Sequence, residues 1–465
     1  MSNKTKFVIF LIVCVALTLT PVTIMLLNAN WVWPMRDISV ALAFLGMSIV
    51  GMQFLPISRM PWLADSIPLD KMYKTHHVIS AVSVGLILLH PILLLAGQEM
   101  FFEEPFWLQA GEIALLGLIL IAITSIFRKK LKISYTTWLL LHDIFTLCIM
   151  VFGLWHMFGR NYYMRNSAMT AAWIVLMVIW GGLALYIRLI RPLILAKHPY
   201  KIEKVVSEGK DTYSVYLLPD GFERPAFKAG QVAWISRGNS PFVISRNPFS
   251  YSGSTEWDAI RFSIKKAGDF TNTISEWKPG ERMYVDGPYG TFDLDDPRMQ
   301  KGLVLLGGGI GIAPIMSILN TMADKGDKRP VYVFYGDLNE ETVLFQDEFE
   351  SLKSRLNMTL VQVLEKPLNP EACEYKGYIT KELLLAKLPE NYKELFYFMC
   401  GPLPMMDAMH KHLAAMGVPK SQIASEKYEM AEPKRLFSLQ APRIGEPVSN
   451  YYRYTIIIWM RGLSK

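Results

Sequence analysis

Six long apolar runs crowd the first two fifths of the chain, near residues 6–29, 38–58, 73–96, 107–127, 136–158 and 168–195. Each is long enough to cross a hydrocarbon core of about 30 Å as a helix, which predicts a six-helix transmembrane bundle. His198 and Pro199 then mark an abrupt change of texture. From Lys201 to about Pro297, short alternating runs such as TYSVYLL and VAWI are broken by Gly and Pro, the pattern of a small antiparallel β-barrel. After Lys301, the apolar runs GLVLL, VYVFYG, TLVQVL and LFYFMCG alternate with helical stretches, which predicts a parallel α/β sheet with crossover helices. The expected domains are therefore residues 1–198, 199–299 and 300–430, followed by an extension over 431–465. That tail contains YYRYTIIIWM, too short to span a bilayer as a helix, and is expected to add an edge strand.

Charge orients the bundle. Lys4 and Lys6, then Arg59, Lys71 and Lys74, then Arg128, Lys129, Lys130 and Lys132, then Arg188, Arg191 and Lys197 all flank the spans on one side. The opposite side carries Glu99, Glu103 and Glu104. The positive-inside rule places both ends of the bundle and the following domains in the cytoplasm of a multi-pass cell-membrane protein. The first run resembles a signal peptide in its basic start, but its length and the lack of a small-residue cleavage site favour a retained span. The net charge of +7 is largely accounted for by these flanks, so anionic lipid is the expected partner and nucleic acid is not. Cys14, Cys148, Cys373 and Cys400 show neither metal nor disulfide spacing, and the last two suit a reducing compartment.

Against this apolar background four histidines stand out. His76 and His90 lie in the third run and His142 and His156 in the fifth, fourteen residues apart in both. A single intramembrane histidine is usually a hydrogen-bonded core residue, but matched pairs on two helices point to function. Fourteen residues return nearly to the same helix face and rise roughly 21 Å. Two such helices could clamp two stacked metal macrocycles, one near each membrane surface. His77 competes with His76, but thirteen residues to His90 turn about 220°, and only a π-bulge would bring that pair onto one face.

Two motifs in the barrel region could address a flat ring system and a pyrophosphate. Asn247, Pro248, Phe249 and Ser250 offer an aromatic face and a hydroxyl; the stretch from Lys265 through Gly268, Phe270 and Thr271 offers a glycine turn with backbone donors. In the last domain Gly307, Gly308, Gly309 and Gly311 lie between a strand and a helix whose first turn holds Pro314. A strand running into glycines at a helix start is a place to receive a phosphate, although the third glycine of the standard dinucleotide fingerprint is absent. Met405, Met406 and Met409 are expected in a helix core. No Ser/His/Asp triad, zinc spacing or P-loop is present.

Together, HHVISAVSVGLILLHP and WLLLHDIFTLCIMVFGLWH resemble the third and fifth helices of the ferric reductase and NADPH oxidase superfamily. NPFSYSG, KKAGDFT, DGPYG, GGGIGIAP and CGPLPMM resemble, in order, the flavin and pyridine-nucleotide motifs of its ferredoxin-reductase-like dehydrogenase. The resemblance covers roughly residues 1–430. It implies that His76 and His142 hold an inner b-type haem and His90 and His156 an outer one. It also implies that Phe249 and Ser250 flank the ring of FAD and that Gly268 to Thr271 bind its pyrophosphate. Gly308, Gly309 and Gly311 would cradle NAD(P)H, with Cys400, Gly401 and Pro402 beside the nicotinamide. Ser250 and Cys400 are thus the residues expected at the reacting atoms.

Three departures qualify this resemblance. The family usually has histidine where Asn247 stands. The basic residue that often reads the 2′-phosphate of NADPH would fall near Leu338, next to Asp337, and an acidic neighbour suits the free ribose of NADH. The chain also continues past the family's usual aromatic end. Arg36, Arg160 and Arg165 are expected on the outer side, as interfacial anchors, propionate partners or part of an acceptor site. The resemblance implies an enzyme passing electrons from cytoplasmic NAD(P)H through FAD and two haems to an outer acceptor. Oxygen, giving superoxide, is preferred to chelated ferric iron, because the outer loops are short and show no iron-ligand cluster. The alternative class is a haem subunit that delivers electrons to a partner protein.

Overall fold

A computed structural model describes residues 3–427, except 30, 32–33, 61–62, 64–68, 98–105, 244–245 and 372. The extension at 431–465, and with it the expected edge strand, lies outside the described residues, as do Glu99, Glu103 and Glu104. Among the described residues, six helices long and apolar enough to cross a membrane run over Phe7–Asn28, Pro34–Ile57, Lys71–Ala96, Phe106–Phe127, Tyr135–Arg160 and Ser167–Ala196. We label the helices α1 (Asn3–Asn28), α2 (Pro34–Met52), α3 (Leu69–Ala96), α4 (Phe106–Phe127), α5 (Tyr135–Arg160) and α6 (Ser167–Leu185). The last span continues through a π-helical turn, Tyr186–Ile190, into α7 (Arg191–Ala196).

Local chemistry sets the ends of α5. The Ser134 hydroxyl accepts from the Thr137 N–H at 3.1 Å, and Asn161 closes the helix at φ +54°, in the left-handed region. Within the bundle α3 leans mainly on α2 and α5 mainly on α4. Small residues allow these approaches. A Cβ at Gly46 would meet Ile87 Cγ1 at 2.6 Å, and one at Gly51 would enter the Trp180 ring. Phe44, Trp173 and Trp180 are buried where α2 and α6 meet.

The second region is a six-stranded antiparallel sheet of order β4-β3-β6-β1-β2-β5. Its strands are β1 (Tyr200–Ser207), β2 (Thr212–Pro219), β3 (Val232–Arg237), β4 (Asn247–Ser250), β5 (Ile260–Lys265) and β6 (Arg282–Tyr289). A bridge from Tyr251 to Phe262 joins the end of β4 to β5 and closes the ring. The third region is a parallel sheet of order β11-β10-β7-β8-β9. It comprises β7 (Leu303–Gly308), β8 (Val331–Asp337), β9 (Met358–Leu364), β10 (Phe396–Gly401) and β11 (Ile423–Lys427). Its helices are α8 (Ile312–Asp324), α9 (Gln346–Arg355), α10 (Lys381–Lys387) and α11 (Leu403–Ala415). The chain reverses direction across the sheet between β7 and β10, and a doubly wound fold opens its ligand crevice at such a switch point, outside the carboxyl ends of the strands.

The barrel and the parallel sheet are joined by buried polar contacts. Arg261 on β5 forks onto Glu348 of α9 with two 2.9 Å bonds, and Asn320 Nδ2 donates to the same carboxylate at 2.6 Å. Ser317 Oγ donates to Gly253 O at 2.7 Å. These bonds explain why α8, covered by the sheet on one side and by the barrel on the other, is buried along nearly its whole length.

Candidate functional site

The bundle brings the four histidines together as two pairs. His76 and His142 have ring centroids 6.3 Å apart, and so do His90 and His156. A metal–imidazole bond of about 2.0–2.1 Å plus about 1.1 Å from nitrogen to ring centroid puts two axial rings roughly 6.3 Å apart, so each pair could hold one iron. Among the described residues no group of three or more His, Cys, Asp or Glu is placed to hold a bare metal ion. A macrocycle that supplies four ligands of its own needs only two from the protein. Helix α3 packs mainly on α2 and α5 mainly on α4 rather than on each other, so the two histidine-bearing helices face each other without close backbone packing.

Three of these imidazoles are oriented through Nδ1. His76 Nδ1 lies 2.8 Å from Gln53 Oε1, His90 Nδ1 lies 2.7 Å from Ser39 Oγ, and His156 Nδ1 lies 2.9 Å from the Trp107 carbonyl. A held Nδ1 leaves Nε2 as the ligating nitrogen, the arrangement usual for metal-bound histidine. His142 Nδ1 is buried without a partner among the described residues. His77 stands beside His76, with centroids 5.9 Å apart, on the uninterrupted helix α3, so no π-bulge brings it into register with His90. Sequence reasoning missed Gln53, Ser39 and Trp107. The first two are polar residues in apolar spans, a weak signal, and the third acts through its backbone and leaves none.

Of the outer arginines, Arg160 lies over the Trp107 ring at 5.3 Å and Arg36 over Tyr162 at 4.9 Å, while Arg165 is exposed in the turn before α6. Beside Arg36, Asp37 is buried and accepts from the Tyr163 hydroxyl at 2.6 Å.

In the barrel, the two flavin-like motifs converge. Phe249 on β4 stacks on Phe270 with centroids 6.3 Å apart and planes 28° from parallel. Ser250 is buried at 3 % exposure next to them, whereas Lys265 is exposed at the end of β5. Asn247 Nδ2 is buried with no partner among the described residues, an unspent donor where the family carries histidine. The turn differs from expectation in one respect: the Ala267 and Gly268 N–H groups, expected free, both donate to Thr271 Oγ1, at 2.8 and 3.0 Å. Thr271 therefore shapes the turn from within. An open cleft of about 700 Å³ runs from Phe270 and Thr273 to Lys201, Arg237 and Arg282. These cations come from β3, β6 and β1, which are adjacent in the sheet, so strand pairing assembles them and sequence spacing had no means of marking them.

At the switch point, the glycine motifs touch. A Cβ on Gly311 would overlap the Cys400 carbonyl, one on Gly308 would overlap Met405 Sδ, and Gly401 lies 3.2 Å from the Gly308 nitrogen on the same measure. Gly309 has φ +53°, which a side chain would strain. Pro314 is buried in the first turn of α8, and Pro402 precedes α11. Met406 and Met409 are in the core as expected, whereas Met405 reaches the glycine loop. Cys400 is 1 % exposed, and burial, reinforced by the nearby Glu426 carboxylate, pushes its thiol pKa well above the ordinary range. It is thus a neutral thiol at the end of β10. Asp337 ends β8 with its carboxylate accepting from Tyr335 Oη at 2.8 Å and from the Leu338 N–H at 2.7 Å, and Leu338 is exposed.

A histidine-bearing membrane bundle joined to a flavin-type barrel and a nucleotide-type sheet defines a membrane oxidoreductase. Residues 42–154 match the family described as ferric reductase like transmembrane component, and residues 305–411 match the oxidoreductase NAD-binding domain. The chain therefore joins a ferric reductase-like transmembrane component to a ferredoxin-reductase-like, FAD/NAD-binding oxidoreductase region. It is similar to the reductase component of propane 2-monooxygenase from Rhodococcus jostii, at 28 % identity over 49 % of this chain and 62 % of that protein. It is also similar to a flavohemoprotein from Oceanobacillus iheyensis, at 28 % identity over 50 % of this chain and 59 % of that one. Among solved structures it resembles the ferredoxin reductase in carbazole 1,9a-dioxygenase, with 25 % identity, a TM-score of 0.44, and coverage of 50 % of this chain and 69 % of the other. The chain spans about three fifths of the length of the curated relatives it matches.

Proposed function

We propose that this protein carries electrons across a membrane, from NAD(P)H at the face bearing the dehydrogenase, through FAD and two stacked b-type haems, to an acceptor at the opposite face. Oxygen, reduced to superoxide, is the preferred acceptor. The observation that carries this reading is the pair of 6.3 Å imidazole separations at two levels of the bundle, with three of the four rings already oriented through Nδ1. FAD, when bound, takes up a hydride and releases electrons singly, and haem iron carries one electron at a time. The protein sets order and distance. Phe249 and Phe270 offer the aromatic face, Asn247 Nδ2 a free donor, and Ser250 a hydroxyl at the buried end of β4. The Gly308 to Gly311 loop, backed by Cys400, Gly401 and Pro402, lets a dinucleotide approach the backbone closely.

The orientation rests on the same geometry. Arg59 and Arg191, on the positively charged side of the bundle, both reach Asp286 of the barrel, which supports a cytoplasmic dehydrogenase under the positive-inside rule. Asp337 at the end of β8 favours NADH. Chelated ferric iron is the second reading, favoured by the transmembrane family matched at residues 42–154.

The test is a spectrum followed by an assay. The purified chain should contain two b-type haems and one FAD. It should oxidise NADH in detergent while reducing cytochrome c in a superoxide dismutase-sensitive manner, and a parallel NADPH titration decides the donor. Rapid anaerobic ferric-chelate reduction without superoxide would move the assignment to iron. Absence of haem would overturn it.

A further inference from the structure

The DGPYG segment has so far been given no task, yet its aspartate is the most heavily engaged carboxylate of the described structure. Asp286 on β6 is buried at 3 % exposure. Arg191, at the end of the last membrane span, donates to its Oδ1 from Nε at 3.0 Å and from Nη2 at 2.5 Å, and Tyr289 Oη donates to the same oxygen at 2.7 Å. Its Oδ2 receives Arg246 Nη1 at 3.2 Å and lies 3.6 Å from Arg59 Nη2. Arg191 also donates to the Ser58 carbonyl at 2.5 Å, which ties α7 to the segment that follows α2.

These partners come from different parts of the protein. Arg59 and Arg191 belong to the membrane bundle, whereas Arg246 immediately precedes Asn247, Pro248, Phe249 and Ser250 on the flavin-type strand. The ring contacts follow the same route: Arg59 lies over Trp234 of β3 at 4.5 Å, and Tyr73 of α3 meets the same indole at 6.5 Å. Arg59, Tyr73 and His76 line one small cavity. A single carboxylate thus links the strand proposed to hold FAD with the ends of the second and last spans, and ring contacts through Trp234 extend the connection to Tyr73 on α3. Surface ion pairs contribute little, but a buried carboxylate shared by three guanidinium groups fixes geometry, because removing it leaves those charges uncompensated in a dry site.

We propose that Asp286 is a positioning residue, the clamp that docks the flavin barrel on the inner end of the bundle and sets the flavin-to-haem distance. The distance-setting part rests on the function proposed above; the docking part is made wholly of protein atoms.

The test uses the full-length protein. In anaerobic stopped flow with NADH, flavin bleaching and haem reduction are followed separately. Asp286→Asn should leave the flavin step within about twofold of the parent and slow haem reduction at least about tenfold, and Asp286→Glu should recover part of that loss. Hydrogen exchange in cofactor-free protein should rise in Asp286→Asn at Tyr186–Ala196 and at Val232–Arg237. Should that variant fail to accumulate, Asp286→Asn combined with Arg191→Gln restores the cluster's net charge and takes its place in both arms. Unchanged haem reduction together with unchanged exchange overturns the proposal, as does equal slowing of both electron steps with unchanged exchange. A parent protein without haem would refute the proposed function, yet the exchange measurement would still decide the clamp.

Discussion

Gly111 supports the outer histidine pair at close range. It lies on α4, and a Cβ there would stand 2.7 Å from His156 Nδ1 and 3.0 Å from its Cγ and Cε1. The imidazole would have to retreat by about 0.7 Å to reach ordinary van der Waals contact. That nitrogen is also held 2.9 Å from the Trp107 carbonyl, from the same helix as Gly111, so the ring cannot retreat without stretching the bond that orients it. Overpacking of this kind costs about 1–3 kcal/mol, against a gain of up to about 1 kcal/mol from replacing a helical glycine with alanine. The net penalty of up to about 2 kcal/mol falls on one proposed axial ligand, and Gly111→Ala should weaken outer-haem binding by up to about 30-fold. The inner pair, nearly four helical turns away, should be untouched. The assay is haem content per protein with a redox titration of the purified variant, and Gly181→Ala, where nothing lies within 4 Å, is the control. Two fully occupied haems with unaltered potentials in Gly111→Ala, together with unchanged haem content in His156→Ala, would refute the assignment of His156 as a ligand.

The inner pair offers the complementary test: His76→Ala or His142→Ala should each remove one haem and leave the outer spectrum, and unchanged haem content in both variants would reject the pairing. Gln53→Leu removes the acceptor from His76 Nδ1 and should lower inner-haem affinity by about 10–100-fold, read by haem loss to an acceptor globin. Burial and Glu426 raise the pKa of Cys400, so the folded state holds its proton more tightly than the unfolded chain does. The stability from this group is complete below the ordinary thiol range and declines as pH rises through and beyond it. Melting curves should therefore fall above about pH 8.5 in the parent and flatten in Cys400→Ser. Alkylation of Cys400 in the native protein at pH 8 should be slow, and rapid labelling would contradict its burial.

Much of this protein could be read along the chain because its strongest signals are local. Hydropathy marked six spans, and short apolar runs between turn residues marked β2 and β3, although β3 buries four successive side chains rather than alternate ones. The fourteen-residue histidine spacing predicted two levels because helix pitch alone relates those positions, and the glycines of 307–311 announced a close backbone approach, since only glycine permits one. Other features needed the fold. Ser39, Gln53 and the Trp107 carbonyl turn the imidazoles, yet each comes from a helix whose packing partner no spacing specifies. Strand β11 is too short to announce itself and exists through its parallel register with β10. The cationic cleft of Lys201, Arg237 and Arg282 forms only when β1, β3 and β6 become neighbours. Asp286 stands in the sequence only as the first residue of the DGPYG motif; in the folded chain it gathers Arg59, Arg191 and Arg246 from positions far apart along the chain. What the sequence determined by itself was therefore the set of elements and the side-chain types they carry, because backbone geometry and burial act over a few residues. Ring orientation and domain docking were decided by tertiary structure, because hydrogen bonds and buried charges act through space between segments whose separation along the chain says nothing about their distance.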